Sequence, residues 1–280
     1  MTFYSQFGED QLLADHFAQQ LTGVCIEVGA LDGMLDSNTL HFEQQGWTCL
    51  LVEANPEMAA ACRTNRPKST IVECAVVGPD APPQVTFQIA EDIPGLSSLA
   101  VDQHNVDALN RFHGRVQLRE VTVNTQTLDN ILETAQLGPI HFMTIDVEGQ
   151  EWNVLQGFDL IRWQPQIVIV ERNHHFPRWR MLRHFHQHGY VLRRTTGVND
   201  WFVRVDSAEI TARYQAKLIT TYYVAPLPAW VRKQTNVAAA KTTRQIDATK
   251  RTVRASAKHT LERVGLLARV KRLLRLNGPT

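Results

Sequence analysis

Glu27-Val28-Gly29-Ala30-Leu31-Asp32-Gly33 closes a short apolar, β-branched stretch with a glycine turn. Glycine lets the backbone come close to a ligand, and in an open parallel sheet the ligand lies at the carboxyl end of such a strand. Glu53 stands 20 residues beyond Gly33, at the end of the next apolar stretch. A carboxylate there can accept both hydroxyl hydrogens of a ribose. Turn and acid together predict a nucleoside bound where the strand order reverses. The turn has the form Gly29-x-x-x-Gly33 with Asp32 inside it, and lacks the third close glycine that seats a pyrophosphate on a helix N-terminus. An acidic turn repels a pyrophosphate and suits a ligand with a positive amino group, such as S-adenosylmethionine. The helix start at Ser37-Asn38 offers backbone donors to that ligand's carboxylate. On these residues alone a nicotinamide dinucleotide, and with it an oxidoreductase, stays open as the alternative.

Further short motifs accompany the turn. They are Ser5-Gln6-Phe7-Gly8-Glu9-Asp10, Ser37-Asn38-Thr39, Gly46-Trp47, Val52-Glu53-Ala54-Asn55-Pro56, Thr127-Leu128-Asp129 and Ile145-Asp146-Val147-Glu148-Gly149. In order and spacing, over residues 4–205, the set resembles the FkbM-type methyltransferases. The resemblance implies a class I, Rossmann-like fold of seven strands that uses S-adenosylmethionine. It implies methyl transfer to a hydroxyl of a sugar, a glycan or a glycosylated natural product. It also implies cofactor contacts from Glu27, Gly29, Ala30, Asp32, Gly33, Ser37, Asn38, Glu53, Ala54, Asn55 and Asp146. By the same likeness Ala75 lies near the adenine, and Ser97-Ser98, with Ser98 the candidate, sits in a loop that closes over cofactor or substrate. Family members often carry Asp where Glu27 stands and Pro where Ala54 stands, mild changes that leave the cofactor expectation intact. Gln6, Glu9 and Asp10 fit a cover over the cofactor pocket and a capped helix start equally well.

The acceptor side is expected at two further strand ends. Asp146-Val147-Glu148-Gly149 follows one apolar run, and Glu171-Arg172-Asn173-His174-His175 follows the next. Asp146 and Glu148 point to the same side if the strand persists. Methyl transfer is an in-line displacement that needs donor and acceptor aligned, and an alcohol acceptor also loses a proton to a base within reach. His174 is the first candidate base and Asp146 the second. Asp146 with Glu171 or Asn173 also offers hard oxygen ligands, so a magnesium ion there could acidify the acceptor hydroxyl. His184 and His188 share a helix face as a candidate metal pair, or simply form an exposed polar face. Trp163, Trp179 and Trp201 could stack on a sugar, Trp179 being the best placed and Trp163 fitting better as a loop anchor.

These residues need a scaffold. Apolar runs at Val24–Val28, Cys49–Val52, Thr70–Val77, Ile140–Val147 and Ile167–Val170 read as buried parallel strands. Helices are expected from Ser37-Asn38 to Gln45, from Pro56 to about Asn65, from Leu128 to Thr134 and from about Arg180 to His188. Val85–Ala90 and Val121–Val123 read as extra strands. Tyr190–Arg194 and Trp201–Val205 flank a turn at Gly197-Val198-Asn199-Asp200. The predicted class is α/β, a doubly wound, mostly parallel sheet closed by an antiparallel pair. Residues 1–225 form the methyltransferase domain; 226–280, after Ala225-Pro226-Leu227-Pro228, form a linker and a basic helical tail.

Composition narrows the setting. The 280 residues are 44% hydrophobic, which argues against disorder of the whole chain. No apolar run reaches the ~18 residues of a spanning helix. The first 17 residues carry no Lys or Arg, unlike a secretory signal, and a cytoplasmic protein is expected. Cys25, Cys49, Cys62 and Cys74 show no C-x-x-C spacing and read as buried thiols. The net charge of +1 hides a split: residues 1–231 hold 16 basic and 26 acidic residues, residues 232–280 hold 13 and 2. The tail places Leu261, Val264, Leu267, Val270 and Leu274 on one helical face beside arginines, a pattern for an anionic membrane surface. It lacks the aromatic residues for nucleic-acid stacking. A peripheral place at the inner membrane face, an oligomer-forming tail, and a non-catalytic adaptor on a retained fold are the remaining expectations. Intact Glu53, Asp146 and Glu148 count against the adaptor.

Overall fold

The computed structural model describes residues 2–91, 95, 97–99, 117–172 and 176–205. The expected base His174, its neighbours Asn173 and His175, the Pro226–Pro228 linker and the basic tail lie outside the described residues.

Seven strands form one sheet in the order β3-β2-β1-β7-β8-β10-β9. They are β1 (Val24–Val28), β2 (Thr48–Glu53), β3 (Thr70–Glu73), β7 (Phe142–Ile145), β8 (Ile167–Glu171), β9 (Tyr190–Thr196) and β10 (Asn199–Arg204). The first five run parallel, and β10 is antiparallel to both β8 and β9. The residues of β7 are all buried, as are all but the first of β1 and β2 and all but the last of β8. Helices cover both faces of such strands, and this is why their apolar runs are continuous rather than alternating. The β9–β10 hairpin turns on Gly197-Val198, so Asn199 and Asp200 belong to the strand rather than to the expected four-residue turn.

Thr70–Val77 is not one strand. The chain leaves β2 at Cys74, whose N–H still donates to the Glu53 carbonyl at 3.1 Å. It then forms β4 (Ala75–Val76) in a second sheet with β5 (Gln84–Ala90) and β6 (Leu118–Gln126), in the order β4-β6-β5. A continuous apolar run marks burial but does not mark where the strand changes partner.

The described helices are α1 (Glu9–His16), α2 (Leu40–Gln44), α3 (Pro56–Asn65), α4 (Leu128–Ala135), α5 (Glu151–Gln156), α6 (Leu160–Trp163) and α7 (Arg178–Gln187). α3 starts where the sequence dictates: Pro56 holds the first position and the Asn55 side chain accepts the Glu57 N–H at 3.0 Å. Under one face of the main sheet Phe17, Phe42, Trp47 and Phe142 pack edge to face and stacked, with ring centroids from 4.7 to 6.1 Å. Trp201 joins that core at 5% exposure, so it is no sugar platform. Trp163 anchors its loop through an indole N–H to Asp129 at 2.8 Å. Trp179 remains exposed, with the Arg180 guanidinium 5.4 Å over its ring. All four cysteines are buried.

Candidate active site

The crevice opens where β1 and β7 part at their carboxyl ends, with β2 and β8 on either side. Gly29 ends β1 with φ +86, and a Cβ there would stand 1.7 Å from the Asp146 carbonyl oxygen. Only glycine permits this crossing of the two strand ends. Beyond it lies a cavity of about 320 Å³. Its walls include Glu27, Gly29, Ala30, Asn38, Glu53, Ala54, Ala75, Asp146, Glu148 and Glu171, ten of the expected residues.

Glu53 is buried at the head of β2. Its two carboxylate oxygens accept the N–H groups of Leu31 and Asn55, both at 2.8 Å. These bonds oppose the burial that pushes its carboxyl up to about 7. They aim the group and leave lone pairs for two further donors.

Glu27 works differently. Its carboxylate accepts the Ser37 hydroxyl at 2.8 Å, the Thr39 hydroxyl at 2.6 Å and the Asn38 N–H at 2.7 Å. Below it lies Arg66, fully buried, which donates to Glu43 at 2.8 Å, to the Gly33 carbonyl at 2.9 Å and to the hydroxyls of Ser37 and Thr39. This network shapes the Gly29–Thr39 loop. It accounts for Ser37 and Gly33, which lie off the cavity wall: a Cβ on Gly33 would meet Arg66 Cγ at 2.7 Å. Asp32 is also off the wall, its Oδ1 closing the turn by accepting the N–H groups of Met34 and Leu35 at 2.8 Å. Asn55 caps α3. Ser98 donates to the Glu148 carbonyl at 2.9 Å, while Ser97 and Leu99 face the cavity. The acid on the cavity wall of this loop is therefore Asp36 rather than Asp32. Burial, then Glu9 and Asp32, raise its carboxyl.

The acceptor-side carboxylates meet by a turn, not by the strand pleat. β7 stops at Ile145, and Glu148 and Gly149 take φ +50 and +97. Glu151, buried at the start of α5, holds that turn by accepting the N–H groups of Gly149 at 2.9 Å and Val147 at 3.3 Å. Solvent reaches Asp146 through the cavity mouth, yet protein crowds it from every side. Burial first, then mutual repulsion, pushes Asp146 up to about 7, Glu148 to about 8 and Glu171 to about 9. Asp146, Glu151 and Glu171 each offer an oxygen within 4.8 Å of the others. A proton shared by two of these carboxyls, or a divalent ion such as magnesium, would relieve their charge.

A family model, the methyltransferase FkbM domain, matches residues 27–192, more than half of the chain. The chain belongs to the FkbM methyltransferase family. The FkbM domain here has the class I methyltransferase architecture, and its cofactor is S-adenosylmethionine. Among solved structures it is similar to a TehB-like SAM-dependent methyltransferase from Corynebacterium glutamicum, at 9% identity and a TM-score of 0.38 over 72% of this chain and 89% of that one. It is also similar to a precorrin-6y C5,15-methyltransferase from Geobacter metallireducens, at 10% identity and a TM-score of 0.38 over 69% and 85%. No curated protein sequence matches the chain.

The FkbM cavity fits the cofactor. Glu53 is oriented for a ribose, Gly29 keeps the floor open, and Asn38 Oδ1 is buried on the wall with no hydrogen-bond partner. S-adenosylmethionine, when bound, supplies an electrophilic methyl group on a sulfonium. Glu53→Ala should lower affinity for it by roughly 100-fold, about 3 kcal/mol for two charge-assisted bonds, with the melting temperature kept. Calorimetric titration checks this; unchanged affinity would remove Glu53 from the site.

Sequence reading missed the wall residues Leu35, Asp36, Cys74, Phe87 and Gln150. Gln6, expected either as a cover of the pocket or as part of a capped helix start, lies on the wall. The His184–His188 pair is half-buried rather than an exposed face. His188 Nδ1 is 2.7 Å from the His184 carbonyl, and the His184 ring packs on Trp152, where burial drives its pKa down to about 4.

Proposed function

We propose that this FkbM methyltransferase acts on a hydroxyl of a neutral sugar, glycan or glycosylated natural product. One observation carries the reading: among the described residues the cavity is lined by six carboxylates, Glu27, Asp36, Glu53, Asp146, Glu148 and Glu171, and by no Lys, Arg or His. With no cation on this wall, a phosphate-bearing acceptor, nucleic acid included, finds no partner for its charge. The wall favours a polyol, whose hydroxyls donate to carboxylates. Asp146, at the strand end beside the cofactor wall, takes the proton as the acceptor oxygen attacks. Glu171 and Glu148 orient the neighbouring hydroxyls. Magnesium held by Asp146 and Glu171 is the variant of this reading in which a metal acidifies the hydroxyl.

The test is incubation with methyl-labelled cofactor and separate pools of neutral glycans, RNA and polyamines. Label is expected in the glycans, as methyl ethers that survive mild base. Label in RNA or amines alone would overturn the reading. Presenting the glycan on anionic vesicles extends the assay to the basic tail, which we propose brings the domain to a cytoplasmic membrane surface. Equal rates for vesicle-borne and free acceptor would remove that role.

A further inference from the structure

The motif Ser5-Gln6-Phe7-Gly8-Glu9-Asp10 precedes the matched family region, and the cofactor fit above does not use it. Its two acids are fully buried, although carboxylates seldom are unless well partnered. Asp10 accepts the Ser5 hydroxyl at 2.6 Å and the Tyr4 and Gln11 N–H groups. Glu9 reaches in two directions. One oxygen accepts the Phe7 N–H at 2.9 Å; the other accepts the Thr196 hydroxyl at 2.6 Å and the Asn199 side-chain amide at 3.0 Å. Thr196 and Asn199 flank the β9–β10 turn, and Asn199 is the register partner of Glu171. A Cβ on Gly197 would meet the Phe7 ring at 2.5 Å, so the segment also lies tightly against that turn. On its other side Ser5 bridges to Asp36. The residue held between these two attachments is Gln6, and it lines the cavity with Leu35, Asp36 and Asn38.

We propose that Gln6 binds the amino-acid end of S-adenosylmethionine and that Glu9 is the positioning residue that holds it there. Glu53 fixes the ribose end at β2, and Gln6 lies at the opposite side, between the β1 loop and the hairpin that pairs with β8. That end of the ligand carries an ammonium and a carboxylate. Asp36 and the unpartnered Asn38 Oδ1 suit the ammonium. No cation lines the cavity among the described residues, so the carboxylate must find neutral donors. The Gln6 carboxamide supplies two. Glu9, with one oxygen on Phe7 and the other on the hairpin, sets the backbone on which Gln6 stands.

The inference rests on the cofactor assignment, and the two can fail separately. Titrate the full chain and its Gln6→Ala and Glu9→Gln variants with S-adenosylmethionine and with 5′-methylthioadenosine, which lacks the amino-acid end. Gln6→Ala should lose roughly 10- to 100-fold in affinity for S-adenosylmethionine, the worth of a hydrogen bond to a charged group, and less than twofold for 5′-methylthioadenosine. Glu9→Gln should show a smaller loss with the same selectivity, because an amide cannot accept from all three donors. A merely structural role for Glu9 would weaken both ligands alike, and that result overturns its positioning role. Wild-type affinity in Gln6→Ala, or equal losses for both ligands, overturns the placement of Gln6. A wild-type chain that binds neither ligand overturns the cofactor assignment itself. Should Glu9→Gln fail to fold, Gln6→Ala alone decides.

Discussion

Arg66→Met should unfold the domain far more readily than its position at the end of a surface helix suggests. Arg66 is fully buried, 2.8 Å from Glu43 and 4.0 Å from Glu27. Methionine fills similar space but leaves two buried carboxylates, Glu27 and Glu43, without their cation. Removing one partner of a buried ion pair costs about 3–5 kcal/mol. For a domain of this size that lowers the melting temperature by roughly 10 °C. The loss should extend to cofactor affinity, because the same guanidinium holds the Gly33 carbonyl and the hydroxyls of Ser37 and Thr39. Thermal melts of the variant check the claim; a shift under 2 °C would show that the network is not needed for stability.

Asp146→Asn should lower turnover by roughly 10²–10⁴, the range for a lost general base, and change cofactor affinity little. The amide keeps the size of the side chain and cannot take the acceptor proton. The wild-type rate should rise with pH through about 7, as the Asp146 carboxyl ionises, and this limb should vanish in the variant. If a metal acidifies the hydroxyl instead, a chelator should inhibit and magnesium should restore the rate. Wild-type turnover in Asp146→Asn would exclude both roles.

The parts of this site that could be read from sequence are those encoded locally. Val24–Val28 and Pro56–Asn65 match their predicted bounds because a doubly buried strand must be continuously apolar and an Asn-Pro pair starts a helix. Gly29 and Glu53 were legible because a turn and an acid at strand ends serve a ligand through their immediate backbone. Asp32 was misplaced for a local reason too: an aspartate inside a turn can satisfy the turn's own N–H groups, and here it does. The less legible residues act across long separations. Arg66 matters through Gly33, Ser37 and Glu43, and Glu9 through Asn199, 190 residues away. Glu151 joins Asp146 only because α5 begins directly after a left-handed turn, which no hydrophobic period announces.

The break at Cys74 has a consequence for how such a domain can change over generations. Ala75, Val76 and Phe87 wall one side of the cavity, yet they belong to the small sheet, whose link to its own first strand is two paired residues, Ala75 with Thr125 and Val76 with Gln126. Within that sheet β5 and β6 pair over seven residues, closing on themselves. The chain between Val76 and Gln126 can therefore lengthen or shorten without shifting any register of the seven-stranded sheet. Insertions and deletions in one cassette can reshape that side of the cavity while its floor at Gly29 stays fixed.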